Sequence, residues 1–191
     1  VAVAHGLGGQ QDQVVRRTVH TAIPTAILCG LGLCFVGTAL AEELLGLMDT
    51  PANILPLSAT YMRIYFAGIP FMLVYNFAAA ILRAAGDTKS PMVFLTIAGI
   101  VNVILNIIFA TAFGMNVDGV ALATTISQLI SAVLTVIALM RRNDACRMEL
   151  KKLRIYAPQL KKIIYIGLPA GIQGIMFGLS NVIIQSSINS F

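Results

Sequence analysis

Tryptophan is absent from this chain of 191 residues, and cysteine, histidine and charge are scarce: three Cys, two His, thirteen Lys or Arg and eight Asp or Glu. Each shortage removes a class of protein. Charged residues make up 11% of the sequence, about half of what a soluble domain carries, so an ordinary water-soluble fold is excluded. Cys29 and Cys34 are off a common helical face and Cys146 lies far from both, which leaves neither a zinc motif nor a disulfide framework. His5 and His20 are too few and too peripheral for a metal cluster. No Asp, Glu or His falls inside the long apolar runs, and no nucleophile has a base at workable spacing. An enzyme is therefore not expected.

What is abundant is apolar side chain, 58% of the sequence, with a mean hydropathy of +0.86. It comes in five blocks near the length that crosses a bilayer, at 21–41, 58–80, 92–113, 120–140 and 163–191. The fold class is all-α: a polytopic membrane protein with five transmembrane helices. The absence of an initiator Met, the odd number of spans and the abrupt apolar end together predict part of a larger protein.

Charge placement orients these spans. Arg141, Arg142, Arg147, Lys151, Lys152, Arg154, Lys161 and Lys162 crowd the segment between spans four and five against only Asp144 and Glu149, net +6. That segment is predicted to be cytoplasmic. Arg83 and Lys89 mark the connection between spans two and three as inside, and Arg16 and Arg17 do the same for the segment before span one. Glu42, Glu43 and Asp49 follow span one on the outside, and Asp118 lies in the other outer loop. The cations sit beside spans without interleaved aromatics, so nucleic-acid binding is not expected.

Local signals fill in the connections. A glycine turn in 6–20 leads through an amphipathic segment into span one, where Pro24 reads as an early-helix proline. Asp49-Thr50-Pro51 reads as a helix start, and Gly68-Ile69-Pro70 as a kink in span two. Arg63, near the outer end of that span, is expected to snorkel to the interface. In the turn at 81–92, Gly86 suits a left-handed helix end, Asp87 or Ser90 a cap, and Pro91 a first turn. The stretch 148–162 is expected to lie amphipathically along the membrane surface.

Asn102 and Asn106 stand one helical turn apart in an otherwise apolar span. Two amides on one face are costly against lipid, so they face a cavity or a partner helix. Two readings fit: a cation or substrate network, or hydrogen bonds that join helices. Thr124 belongs to a stripe of Ala121, Thr124, Gln128, Ser131 and Thr135 at helical spacing, which suits either a polar pathway or close packing. Tyr61 fits a binding residue or an interfacial aromatic. Gln173 is a candidate cavity residue, whereas Gly167, Gly171, Gly174 and Gly178 read as a helix-packing face.

The run LRAAGDTKSPM at 82–92, the N-x-x-x-N of Asn102 and Asn106, and FGMNVDGVALATTISQ at 113–128 resemble the multidrug and toxic compound extrusion (MATE) family. GLGGQQDQVVRR at 6–17 and IGLPAGIQGIMFGLSNVIIQ at 166–185 fit the same family at the expected separations. The resemblance covers essentially the whole chain. It implies a twelve-helix, two-lobe transporter with a central cavity and alternating access. By order, residues 1–140 would be the N-lobe part (the end of span two and spans three to six), 141–162 the cytoplasmic inter-lobe loop, and 163–191 the first helix of the C-lobe. The remaining helices of the parent transporter and membrane lipid would be its partners.

The resemblance further implies a cation site matching Tyr61, Asn76, Asn102, Asn106 and Thr124, with possible Na+ near Asn102, Asn106 and Thr124. Several relatives carry Asp where this chain has Asn106, and some carry Glu near Met176-Phe177-Gly178. Asn takes up no proton, so any essential acid is expected elsewhere. The implied function is a secondary antiporter in the bacterial cytoplasmic membrane. It would export cationic or amphipathic organic compounds for Na+ or H+, with no cofactor beyond the coupling ion. The alternatives are a lipid-linked oligosaccharide flippase, for which only Arg63 approaches the cations needed within spans, and no independent activity for the isolated fragment.

Overall fold

The computed structural model describes residues 1–47 and 54–189. Among them every regular element is helical: α1 (Ala2–Gly8), α2 (Asp12–Leu47), α3 (Leu55–Ala84), α4 (Lys89–Thr111), α5 (Val117–Met140), a 3-10 turn (Leu150–Lys152) and α6 (Ala157–Asn189). The helices α2 to α5 are each long and apolar enough to cross a membrane. The expected helix start at Asp49-Thr50-Pro51 lies outside the described residues; α3 has Pro56 in its first turn.

The elements follow from local chemistry. The chain turns between α1 and α2 through Gly9 and Gln10, the latter at φ 52°, and Asp12 places a carboxylate in the first turn of α2, where the helix dipole favours it. The amphipathic lead-in and span one are one continuous helix, which corrects the reading of Pro24: it sits inside α2, not near its start. Gly86 leaves α3 with φ +84°, and the Asp87 carboxylate accepts the Ser90 backbone N–H at 3.0 Å. That bond is the first cause holding the Asp87 carboxyl below its ordinary value, with the nearby Arg142 guanidinium adding to it.

The core of the bundle is α2, α3 and α5, and α4 leans on α5. Contact between α2 and α3 is backbone-close: a Cβ on Gly30 would lie 2.5 Å from Pro70 Cα. On the other face of α3, Gly68 opens room for Thr125 of α5, whose hydroxyl donates to the Ile64 carbonyl at 3.1 Å. The Tyr75 hydroxyl donates to the Pro91 carbonyl at 3.1 Å, joining α3 to the start of α4. Most of α4 presents Val93, Leu95, Ile100, Val103, Ile104 and Ile107 outward, as a lipid-facing helix should.

Every segment assigned inside by its charge meets at one end of the bundle. There Arg142 lies 3.9 Å from Asp87 and pairs closely with Asp144, whose carboxyl it holds below the ordinary range. At the other end Arg63 donates to Glu42 at 2.8 Å, so this arginine crosses from α3 to α2 instead of only snorkelling.

The basic segment after α5 is packed, not loose. Cys146 and Met148 are buried among Val15, Val19, Ile81, Leu82 and Leu139, and the Met148 N–H donates to the Leu139 carbonyl at 3.1 Å. His20 Nε2 accepts the Glu149 N–H at 3.2 Å and Thr21 Oγ1 accepts the Tyr156 N–H at 3.1 Å. The expected single amphipathic stretch over 148–162 is thus divided: a 3-10 turn, an irregular piece at 153–156, and the first residues of α6. These side-chain anchors on α2 compete with helix formation by holding backbone N–H groups in other directions.

Burial pushes the Cys146 thiol up to about 11, about a hundredfold fewer thiolates than at an ordinary cysteine. A water-soluble maleimide at neutral pH is therefore expected to leave Cys146 unlabelled in folded protein and to label it after denaturation. Rapid labelling of the folded protein, read by mass spectrometry, would show that the segment is undocked.

Candidate cation and substrate site

Asn102 lies thirteen residues into α4, roughly 20 Å from its inner end, and half-buried against α5. Its Nδ2 reaches Thr124 Oγ1 and Ser127 Oγ, both at 3.4 Å. Asn106, one turn further out, donates from Nδ2 to Asn102 Oδ1 at 3.0 Å. The two hydroxyls spend their protons on their own helix, Thr124 on the Val120 carbonyl and Ser127 on the Thr124 carbonyl. Their oxygens therefore face Asn102 as acceptors. Asn106 Oδ1 is buried and, among the described residues, accepts no hydrogen bond.

Two amides and two hydroxyls thus form one hydrogen-bonded cluster between α4 and α5, without a carboxylate or imidazole among them. A buried carbonyl oxygen lacking a donor is costly, and a cation relieves that cost as well as a proton donor would. Oxygen ligands of this kind suit a hard ion, and rotation of either amide would turn another oxygen inward.

The other candidates lie elsewhere. Tyr61 stacks on Tyr65 with ring centroids 6.3 Å apart, near the outer end of α3. Asn76 is fifteen residues further along α3, roughly 22 Å away. It is exposed and donates to the Met72 carbonyl at 2.9 Å. It also helps line a cavity of about 460 Å³ at the inner end, with Thr18, Ala22, Phe77, Arg83 and Ile163. Gln173 is exposed on α6, which packs against α1 and α2. The glycines Gly167, Gly171, Gly174 and Gly178 have nothing within 4 Å of their Cβ positions, so their packing face has no partner among the described residues.

Ser127 is the member of the cluster that sequence reasoning missed. The stripe at 121, 124, 128, 131 and 135 follows one set of helical steps, but 124, 127 and 131 are equally spaced by turns. Ser127 and Ser131 are buried, and the direction of α4 decides which of these hydroxyls meets an amide.

The family model described as MatE matches residues 1–108, more than half of the chain. The chain belongs to the MATE family. The probable multidrug resistance protein YoeA of Bacillus subtilis (strain 168) is 28% identical over 199 aligned positions, covering all of this chain and 43% of that protein. The probable multidrug resistance protein YpnP of the same organism is 33% identical over 173 positions, covering 86% of this chain and 37% of that protein. A crystal structure of MATE in the bent conformation superposes with a TM-score of 0.85 at 22% identity, over 91% of this chain and 39% of that one. That likeness establishes a shared MATE fold. The chain spans about two-fifths of the length of these curated MATE relatives.

Proposed function

We propose that this chain acts within a secondary active antiporter of the bacterial cytoplasmic membrane. It would export cationic or amphipathic organic compounds, drugs among them, in exchange for Na+ or H+ by alternating access. The observation that carries the reading is the amide and hydroxyl cluster of Asn102, Asn106, Thr124 and Ser127, with Asn106 Oδ1 buried and undonated. Its chemistry favours direct uptake of a hard cation such as Na+. It holds no group that titrates near neutral pH, so a proton-coupled version takes its proton at another residue. Membership of the MATE family and the likeness to the probable multidrug resistance proteins YoeA and YpnP support the substrate class.

The coupling follows from differential affinity. A cation that binds this cluster more tightly in one facing state shifts the lobes toward it. Tyr61 and Asn76, one near each end of α3, and Gln173 on α6 are proposed to contact substrate or cation as the cavity changes its access.

The test is ethidium uptake into everted vesicles carrying the full-length protein, with a Na+ gradient and a proton gradient imposed separately. Gradient-driven uptake is expected. Its absence under both gradients, from folded protein, would overturn the antiporter reading.

A further inference from the structure

Arg16 and Arg17 in the second turn of α2 and Lys152 in the 3-10 turn come together around a cavity of about 200 Å³, completed by Gln13, His20 and Tyr156. Two elements more than 130 residues apart build it, held by the His20 to Glu149 and Thr21 to Tyr156 bonds. The Arg17 guanidinium lies over the Tyr156 ring, 5.4 Å from its centroid, which keeps this cation at the cavity wall. His20 Nδ1 lies 2.7 Å from the Arg16 carbonyl and Nε2 accepts the Glu149 N–H, so backbone groups engage both ring nitrogens.

The charge there is unbalanced. Glu149 pairs with Lys152 at 2.7 Å. Among the described residues, neither Arg16 nor Arg17 has a carboxylate partner within salt-bridge distance. The cavity is smaller than the roughly 300–1,000 Å³ of drug-sized sites, which points to a compact anion. Its depth points to the membrane surface: the apolar run of α2 starts at Thr21, directly after His20. Leu150, in the same 3-10 turn as Lys152, and Ile155, next to Tyr156 in the chain, are 56% and 38% exposed, the pairing of apolar and basic residues that suits a headgroup layer. The charge bias puts this face in the cytoplasmic leaflet, where anionic lipid gathers.

We propose that this cavity binds the phosphate of an anionic phospholipid of the cytoplasmic leaflet. Arg16 and Arg17 hold the phosphate oxygens, Lys152 closes over them from the loop, and Leu150 and Ile155 meet the acyl chains. Bound lipid ties the basic segment to the first turns of α2.

Delipidated full-length protein titrated with phosphatidylglycerol, with phosphatidylcholine and with inorganic phosphate, and read by native mass spectrometry, tests this. Phosphatidylglycerol is expected to bind more tightly than phosphatidylcholine, with inorganic phosphate failing to displace it. Each cation removed should weaken it roughly fivefold, and the Arg16→Ala/Arg17→Ala pair about 30-fold. Lys89→Ala, a cytoplasmic cation away from the cavity, should change nothing. Lys152 is 60% exposed, so Lys152→Ala keeps the test valid even if the double variant misfolds. Equal lipid affinity in Lys152→Ala, or no preference for the anionic lipid, would sink the proposal. Displacement by inorganic phosphate would make this a free-anion site instead.

Discussion

Asn102→Ala is expected to lower gradient-driven ethidium transport by at least about tenfold while leaving a folded protein. Asn102 is the hub of the cluster: it accepts from Asn106 and donates towards Thr124 and Ser127. An interaction with a charged partner is worth about 1.5–3 kcal/mol, or roughly 10- to 150-fold if it is made to the coupling ion in one facing state. The same contacts serving only to join α4 to α5 would contribute about 0.6–1.7 kcal/mol to stability, with no specific effect on transport. Transport and melting temperature therefore separate the two readings. Thr124→Ala should cost less, since Ser127 still offers an oxygen at the same 3.4 Å. Wild-type transport in Asn102→Ala, with a lowered melting temperature, would assign the cluster to helix packing.

Asn106→Asp sharpens the test. An ionised carboxylate there can no longer donate to Asn102 Oδ1, a bond of 3.0 Å in the native chain, so Asn102 must turn its amide or the new group must hold a proton. Transport by this variant should gain a pH dependence that the native cluster cannot supply.

Gly30→Val is expected to be the most damaging single change in the bundle, by about 3 kcal/mol or more. The added Cβ would meet Pro70 Cα at 2.5 Å and Pro70 N at 3.2 Å. Backbone cannot rotate away as a side chain can, so α2 and α3 must separate. Overpacking alone typically costs about 1–3 kcal/mol, and separation also forfeits the close contact that small residues give in membranes. Gly37 also meets its neighbour closely, but there the obstacle is the ring of Phe66, which can swing aside. Gly32, two residues from Gly30, has nothing within 4 Å; Gly32→Val should stay within about 0.5 kcal/mol. Thermal unfolding of both variants in detergent measures the contrast. Equal loss at the two positions would contradict the α2–α3 packing.

Gly30 and Gly32 also show where reading the chain stops. In sequence they are one Gly-Leu-Gly step, equal in composition and nearly equal in depth. The long helices are legible because a bilayer leaves few ways to satisfy the backbone, and apolar length therefore encodes them. The inside and outside ends are legible because cations on the wrong side are penalised one residue at a time. The turn at 82–92 is legible because Gly86, Asp87 and Pro91 act on their own backbone. Pro24 was misplaced because the amphipathic lead-in and the apolar span form one helix that runs through the proline.

The sequence by itself determined the all-helical membrane class, the grouping of the basic segments at one end of the bundle, and the face shared by Asn102 and Asn106, since each depends on local periodicity or on transfer from water to lipid. Only the tertiary structure decided that Ser127 joins those amides, that Gly30 touches backbone while Gly32 has open space beside it, and that the basic segment docks on His20 and Thr21. These depend on which helix face meets which, and that is set by shape and by hydrogen bonds between residues far apart in the chain, for which no local pattern carries the information.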